Sequence, residues 1–218
     1  MIKLSKRLLA IANLVDDNSK VVDIGCDHGL VSIYLAMNKQ NISIIASDIN
    51  QNALDNAIKN INKYHLEDKI KVCLSNGLDN INDEIDTIII SGMGGHTIID
   101  ILTNNQEKLN TVNNIIIQSN NDIEYVRRKI VKLGYCISKE ELILDKNIYY
   151  TVILFTKGKK KYTNKEYYFG PILLKENSKI FIEKKNKEYT KLVNIKNNIP
   201  KRKLLIRLKI LKELHMYK

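Results

Sequence analysis

Proline is nearly absent from this chain of 218 residues: there are two, Pro171 and Pro200, both in its last third. Any function that needs a proline-built loop before residue 171 is therefore excluded. Cysteine is scarce as well. Cys26, Cys73 and Cys136 lie far apart, at no zinc-ligand spacing, and their odd number speaks against a secreted disulfide framework. The expected compartment is the cytoplasm. His28, His65, His96 and His215 are equally scattered, so no metal is expected. No apolar run approaches the roughly 20 residues of a membrane span. The opening MIKLSKRLLAIANLV places Leu4, Leu8, Ile11 and Val15 at helical spacing with no cleavage site after them. It reads as an amphipathic helix with Ser5 near its N-cap rather than a targeting segment.

Acidic residues are missing from the end of the chain. Residues 157–218 hold 19 Lys+Arg against 5 Asp+Glu, a net of +14, whereas residues 1–156 hold 16 against 19, a net of −3. A genome-wide bias towards lysine would raise it everywhere. The asymmetry implies a separate basic module at 159–218 whose partner is a polyanion, attached to a domain at 1–158.

What is present in that first domain is alternation. Apolar strand-like runs at 21–25, 42–47, 69–74, 86–91 and 114–119 are separated by helical stretches at 30–38, 51–63, 95–103 and 122–133. Runs this rich in Ile and Val are buried on both faces, as in a parallel sheet, so the fold expected is α/β and doubly wound. CISKEELILDKNIYYTVILFTKG (136–158) then reads as two strands with a polar turn near Asp145–Asn147, an antiparallel hairpin closing the sheet. Five parallel strands and a terminal hairpin form the Rossmann-like order of class I methyltransferases. After Lys157, helices are expected over about 172–198 and 201–216, the second started by Pro200. Leu204, Leu208 and Leu211 on one and Ile182, Tyr189, Leu192 and Ile199 on the other suggest a coiled-coil-like helical hairpin.

The loop VVDIGCDHGLV (21–31) carries the chemistry. Gly25 permits a tight turn and close approach of a ligand, with Cys26 beside it. A pyrophosphate would be repelled by Asp27, whereas S-adenosylmethionine has no phosphate and carries a sulfonium and an ammonium. Asp23 and Asp27 suit that cation, although Asp27 could instead cap the next helix. Asp48, followed by Ile49, ends the second strand where a carboxylate accepts hydrogen bonds from ribose hydroxyls. Asn76, next to Gly77, could read an adenine amino group through its carbonyl oxygen. Gly92, Gly94 and Gly95, with Met93, form a loop at the end of a central strand where backbone and ligand can touch. His28 is an acid–base candidate or a structural turn residue, and His96 borders the glycine loop. Arg7 could reach an RNA phosphate, or be an ordinary solvated helix charge.

Without proline, the Asn/Asp-Pro-Pro-aromatic loop of exocyclic-amine methyltransferases cannot be built here, and no Pro-Cys nucleophile exists for cytosine C5. A ring nitrogen such as adenine N1 has a free lone pair and mainly needs to be held in line with the methyl carbon. The product is cationic, so Asp27 is the residue expected to stabilise developing charge.

LSKRL (4–8), DIGCDHG (23–29), GMGG (92–95), IQSN (117–120) and FGPILLKE (169–176) occur in register. In this the chain resembles the bacterial tRNA (adenine-N1)-methyltransferases that modify position 22, the TrmK family. The resemblance covers essentially the whole chain. It implies a class I methyltransferase domain, a helical domain, S-adenosyl-L-methionine as methyl donor and tRNA as partner. The family's loop carboxylate falls on Asp27 and its N-terminal basic residue on Arg7. The chain departs from the family pattern in having DHGLVS for DHAYLP, Asp48 in an SD context for GE, and SNGL for GDGL. Residues and resemblance together predict a monomer with Asp27 and His28 catalytic. Cofactor-binding residues would be Asp23, Gly25, Cys26, Asp48, Ile49, Asn76, Gly77, Gly92, Met93 and Gly94. The substrate would meet Arg7, Gly95, His96, Lys159, Lys160 and Lys161. The alternatives are a methyltransferase acting on another RNA or a small molecule, and an RNA-binding homologue without activity.

Overall fold

The structure is a computed structural model and describes residues 2–81, 84–200 and 202–217. The described chain divides into two compact units that meet between Lys161 and Tyr162. Lys159, Lys160 and Lys161 thus leave the first unit as its last residues, a few positions beyond the boundary suggested by the charge shift.

The first unit is a seven-stranded sheet in the order β3-β2-β1-β4-β5-β7-β6. Strands β1 (Lys20–Ile24), β2 (Ser43–Asp48), β3 (Ile70–Leu74), β4 (Thr87–Met93) and β5 (Asn114–Ser119) are parallel. Helices α1 (Lys6–Asn13), α2 (Leu30–Asn38), α3 (Gln51–Lys63), α4 (Gly95–Asn104) and α5 (Ile123–Lys132) flank them. The reason is visible in the central strands. Ile88, Ile89 and Ile90 of β4 and Ile115, Ile116 and Ile117 of β5 are all fully buried, so both faces of the sheet are covered. Ser5 caps α1 by accepting the Leu8 N–H, as its position in the sequence suggests.

The hairpin β6 (Tyr135–Asp145) and β7 (Ile148–Lys157) is antiparallel, and β7 pairs antiparallel with β5. Its two-residue turn, Lys146–Asn147, has φ of 48° and 65°, the pair of positive angles that matches strand twist. Arg127 of α5 donates to Glu140 of β6 at 2.8 Å, both side chains buried, fastening that helix to the edge strand. The Rossmann-like sheet ending in a hairpin is the architecture the sequence implies.

The second unit is helical but differs in detail from the expectation. The helix expected over 172–198 is two helices, α7 (Pro171–Glu176) and α8 (Lys179–Asn198), broken where Asn177 takes φ 44°. A short α6 (Asn164–Phe169) precedes them, opened by a capping box between Thr163 and Glu166. Lys201, where the last helix was expected to begin, lies outside the described residues. Pro200 accepts the Lys203 N–H in a turn, and α9 runs over Leu204–His215. Arg207 donates to the Ile199 carbonyl while Tyr217 packs on Tyr189, so α8 and α9 run antiparallel. The leucine stripe is not the buried one. Leu204, Leu208 and Leu211 are exposed, and Ile210 is the buried residue of α9. Ile182 and Tyr189 are exposed on α8 as well, and Phe181 turns inward against Phe169.

Candidate active site

The carboxyl ends of β1, β2 and β4 and the start of α1 enclose a cleft of about 380 Å³. This is the crevice where open α/β sheets bind ligands. β1 delivers Asp23 to its floor. Asp23 is buried, accepts a hydrogen bond from Ser32 Oγ at 2.8 Å, and is pushed up to about 6 by that burial, against the Ser32 hydrogen bonds that pull it down. Asp48 adds to the rise.

The chain then turns through Gly25 (φ 71°), Cys26, Asp27 (φ 51°) and Gly29 (φ 68°). Gly29, not Asp27, is the N-cap of α2, so the capping alternative for Asp27 does not hold. The Asp27 side chain is exposed, with its Oδ1 3.7 Å from His28 Nε2. Asp48 at the end of β2 accepts the Asp27 N–H at 3.2 Å through one carboxylate oxygen and the Asn50 N–H at 2.9 Å through the other. The Cys26 thiol is driven upward by burial and by Asp23, Asp48 and Asp27, which disfavours the reactive thiolate. A Cβ on Gly25 would collide with Met93 Cε, which shows how tightly the β4 turn closes over the β1 loop.

Arg7 of α1 points into the same cleft. Its Nη1 donates to Gln118 Oε1 at 2.6 Å, and its guanidinium lies 5.5 Å from the centre of the Tyr150 ring. It is not a solvated helix charge.

The cleft thus brings together Arg7, Asp23, Gly25, Cys26, Asp27, His28, Asp48, Gly92 and Met93 from the expected set. Leu8, Leu30, Val31 and Ser91 complete its walls; the resemblance had marked Leu30, and the sequence offered only apolar or small character for the other three. Ile49 is 69% exposed beside the cleft, not in its lining. Asn76 sits exposed in the loop after β3, and Gly77 is buried against Ile101 with φ 63°. Gly94 is the N-cap of α4, and Gly95 donates to Asn121 Oδ1 with its α-carbon pressed against the β5–α5 turn. The His96 ring stacks on Tyr125 at 4.3 Å on the outer surface. None of these five lines the cleft, nor do Lys159, Lys160 and Lys161. Among the described residues no cluster of three His, Cys, Asp or Glu side chains could hold a metal.

Three carboxylates and one guanidinium line the cleft, a charge pattern that suits a ligand with cationic centres and a single anionic group. A pyrophosphate would meet repulsion from Asp27. The profile of a known family, tRNA (adenine(22)-N(1))-methyltransferase, matches residues 21–216. The chain belongs to the TrmK family. The Bacillus subtilis tRNA (adenine(22)-N(1))-methyltransferase is 29% identical over 194 residues, covering 86% of this chain and 82% of that one. The structure of M. capricolum TrmK, solved with the cofactor product S-adenosyl-homocysteine, superposes with a TM-score of 0.88 at 32% identity. It covers 98% of this chain and 96% of that one. Sp1610 of Streptococcus pneumoniae, solved with S-adenosyl-L-methionine, gives 0.90 at 30% identity, covering 99% and 98%. In this chain of the TrmK family the acidic loop carries Asp23 and Asp27, Leu30 lines the wall of the cleft and Asn76 lies outside it.

Proposed function

We propose that this chain methylates N1 of adenine 22 in tRNA, giving 1-methyladenosine, with Asp27 as the carboxylate beside the reacting atoms. S-adenosyl-L-methionine supplies the methyl group as an electrophile activated by its positive sulfur. The observation that carries the reading is the acidic cleft at the sheet's switch point in a chain of the TrmK family.

The residues divide the work. Asp48 fixes the β1 loop through the Asp27 N–H and has lone pairs left for ribose hydroxyls. Asp23 and Asp27 place negative charge where the ligand is cationic, and Arg7 faces its anionic group. Adenine N1 attacks through its lone pair, so no general base is needed to start the reaction. Positive charge then passes to the adenine ring, where the Asp27 carboxylate stabilises it. His28, whose Nε2 lies 3.7 Å from Asp27 Oδ1, stands beside that carboxylate as the acid–base candidate. An N1 engaged in pairing or stacking must first be exposed, so the base is flipped or the tRNA opens locally.

The basic second unit is read as holding tRNA, and so, separately, are Lys159, Lys160 and Lys161 at the end of the first unit, gripping phosphates without reading sequence. The enzyme acts as a monomer in the cytoplasm, where its substrate is. No helix among the described residues is long and apolar enough to cross a membrane.

The test is transfer to unmodified tRNA carrying adenine at position 22, with nucleosides identified by mass spectrometry. The expected product is 1-methyladenosine, lost when guanine replaces that adenine. Binding of S-adenosyl-L-methionine without transfer would redirect the search to another RNA or a small molecule, and absence of binding would point to a homologue without activity.

A further inference from the structure

Gln118 is a polar residue at the end of three buried isoleucines in β5, and it is itself 0% exposed. Its hydrogen bonds form a closed ring. The Gly92 N–H donates to Gln118 Oε1 at 3.2 Å, Gln118 Nε2 donates to Asn120 Oδ1 at 3.1 Å, and Asn120 Nδ2 donates to the Gly92 carbonyl at 2.7 Å. Both ends of the Gly92 residue, which has φ 78°, are held by side-chain amides. The same Oε1 also accepts Arg7 Nη1 at 2.6 Å. The orientation of the amides follows from chemistry. Arg7 and the Gly92 N–H can only donate, so the atom facing them is oxygen, which fixes every other atom in the ring.

The nature of this anchor matters. The cleft contains three carboxylates, yet among the described residues none is within ion-pair distance of Arg7. A glutamate at position 118 would hold the guanidinium equally well and neutralise it. A glutamine holds it and leaves the charge intact. Among the described residues Arg7 is also the one Arg or Lys lining the cleft, and a guanidinium keeps several donors for a second partner.

We propose that Gln118 is a positioning residue that holds Arg7 in the cleft with its charge unneutralised, as the receptor for an anionic group. Two ligands of this enzyme offer one: the α-carboxylate of the cofactor and a phosphate of the bound tRNA. The inference rests on the reading of Arg7 as a ligand-facing residue.

The experiment is a double-mutant cycle of Gln118→Glu and Arg7→Gln, followed by steady-state transfer to tRNA and by direct binding of S-adenosyl-L-methionine and its decarboxylated analogue. Gln118→Glu is expected to lower kcat/KM at least ten-fold, and the loss is expected to vanish when Arg7 is already glutamine. If wild type prefers S-adenosyl-L-methionine over the decarboxylated analogue and Gln118→Glu erases that preference, the anion is the cofactor carboxylate. If instead the KM for tRNA rises and its salt dependence flattens, the anion is an RNA phosphate. Additive losses, or a Gln118→Glu enzyme within two-fold of wild type, overturn the proposal, as does a loss confined to kcat with both affinities intact. Should thermal unfolding show that Gln118→Glu does not fold, Gln118→Met takes its place in the cycle, and additivity again overturns the idea. Arg7→Gln at wild-type kinetics would sink the reading of Arg7 itself, a failure distinct from the others.

Discussion

Asp48 at the end of β2 holds the backbone of Asp27 in the β1 loop: its Oδ2 accepts the Asp27 N–H at 3.2 Å. One carboxylate thereby sets the position of another, and Asp27 keeps φ 51° without glycine's freedom. Asparagine tolerates that angle better than alanine, so Asp27→Asn removes charge with little backbone penalty. It is expected to lower kcat about 100-fold, with the thermal midpoint moving by only a degree or two. Assay of methyl transfer alongside thermal unfolding checks both. A variant that turns over normally would take Asp27 out of the mechanism.

Asp23 gives the unliganded protein a signature in pH. Its carboxyl ionises at about 6 in the folded state against 3.8 as its ordinary value. Below the lower value it is neutral whether folded or not. As pH rises between the two, the unfolded chain ionises first and stability falls. Above about 6 the full penalty persists, roughly 3 kcal/mol. Asp23→Asn, which still offers Ser32 an acceptor, is expected to unfold at higher temperature than wild type at pH 8 and to match it near pH 4. Cofactor affinity should run the other way, rising from pH 5 to 7 in wild type because a cation favours the ionised carboxyl, and losing that rise in Asp23→Asn. Calorimetric titration across pH reads both trends.

Cys26 sits in the loop after β1, buried, with nearby carboxylates that disfavour its thiolate. Iodoacetamide at pH 8 is expected to leave it unmodified in the native protein while labelling the more accessible Cys73 and Cys136. In denaturant all three should react alike. Peptide mass mapping distinguishes the outcomes, and rapid native labelling of Cys26 would contradict the described loop.

Lys159, Lys160 and Lys161 follow β7 and close the first unit. Reversing all three to glutamate is expected to weaken tRNA binding and to reduce the slope of log K against log salt by about 2 to 3, the effect of three lost phosphate contacts. A filter-binding series from low to high salt measures it. An unchanged slope would mean that the RNA contacts other lysines.

Much of this was legible because the sheet announces itself. Runs such as DTIIIS and NIIIQS leave no amphipathic alternative to a buried parallel strand, and the hairpin around Lys146–Asn147 follows from turn chemistry. The second unit was harder for a physical reason. In α9 the sequence LLIRLKIL is apolar on nearly every side, so periodicity could not choose the buried face, and packing selected Ile210 over the leucine stripe. The break at Asn177 and the Thr163–Glu166 capping box were readable signals left unused. In the site, residues before a turn were found by their type, whereas Gln118 was hidden in a strand. It stood only within the IQSN motif, as a lone amide after three isoleucines with no role attached.

The strand order has a consequence for synthesis. β7 lies between β5 and β6, so the last strand made is the one that must enter the sheet first on that side. Until Lys157 has left the ribosome, the edge of β5 with Ile115, Ile116 and Ile117 has no neighbour, and β6 has nowhere to dock. A nascent chain halted within β7 would present an apolar, unsatisfied strand edge, the kind of surface that chaperones hold and that misassembles when they do not.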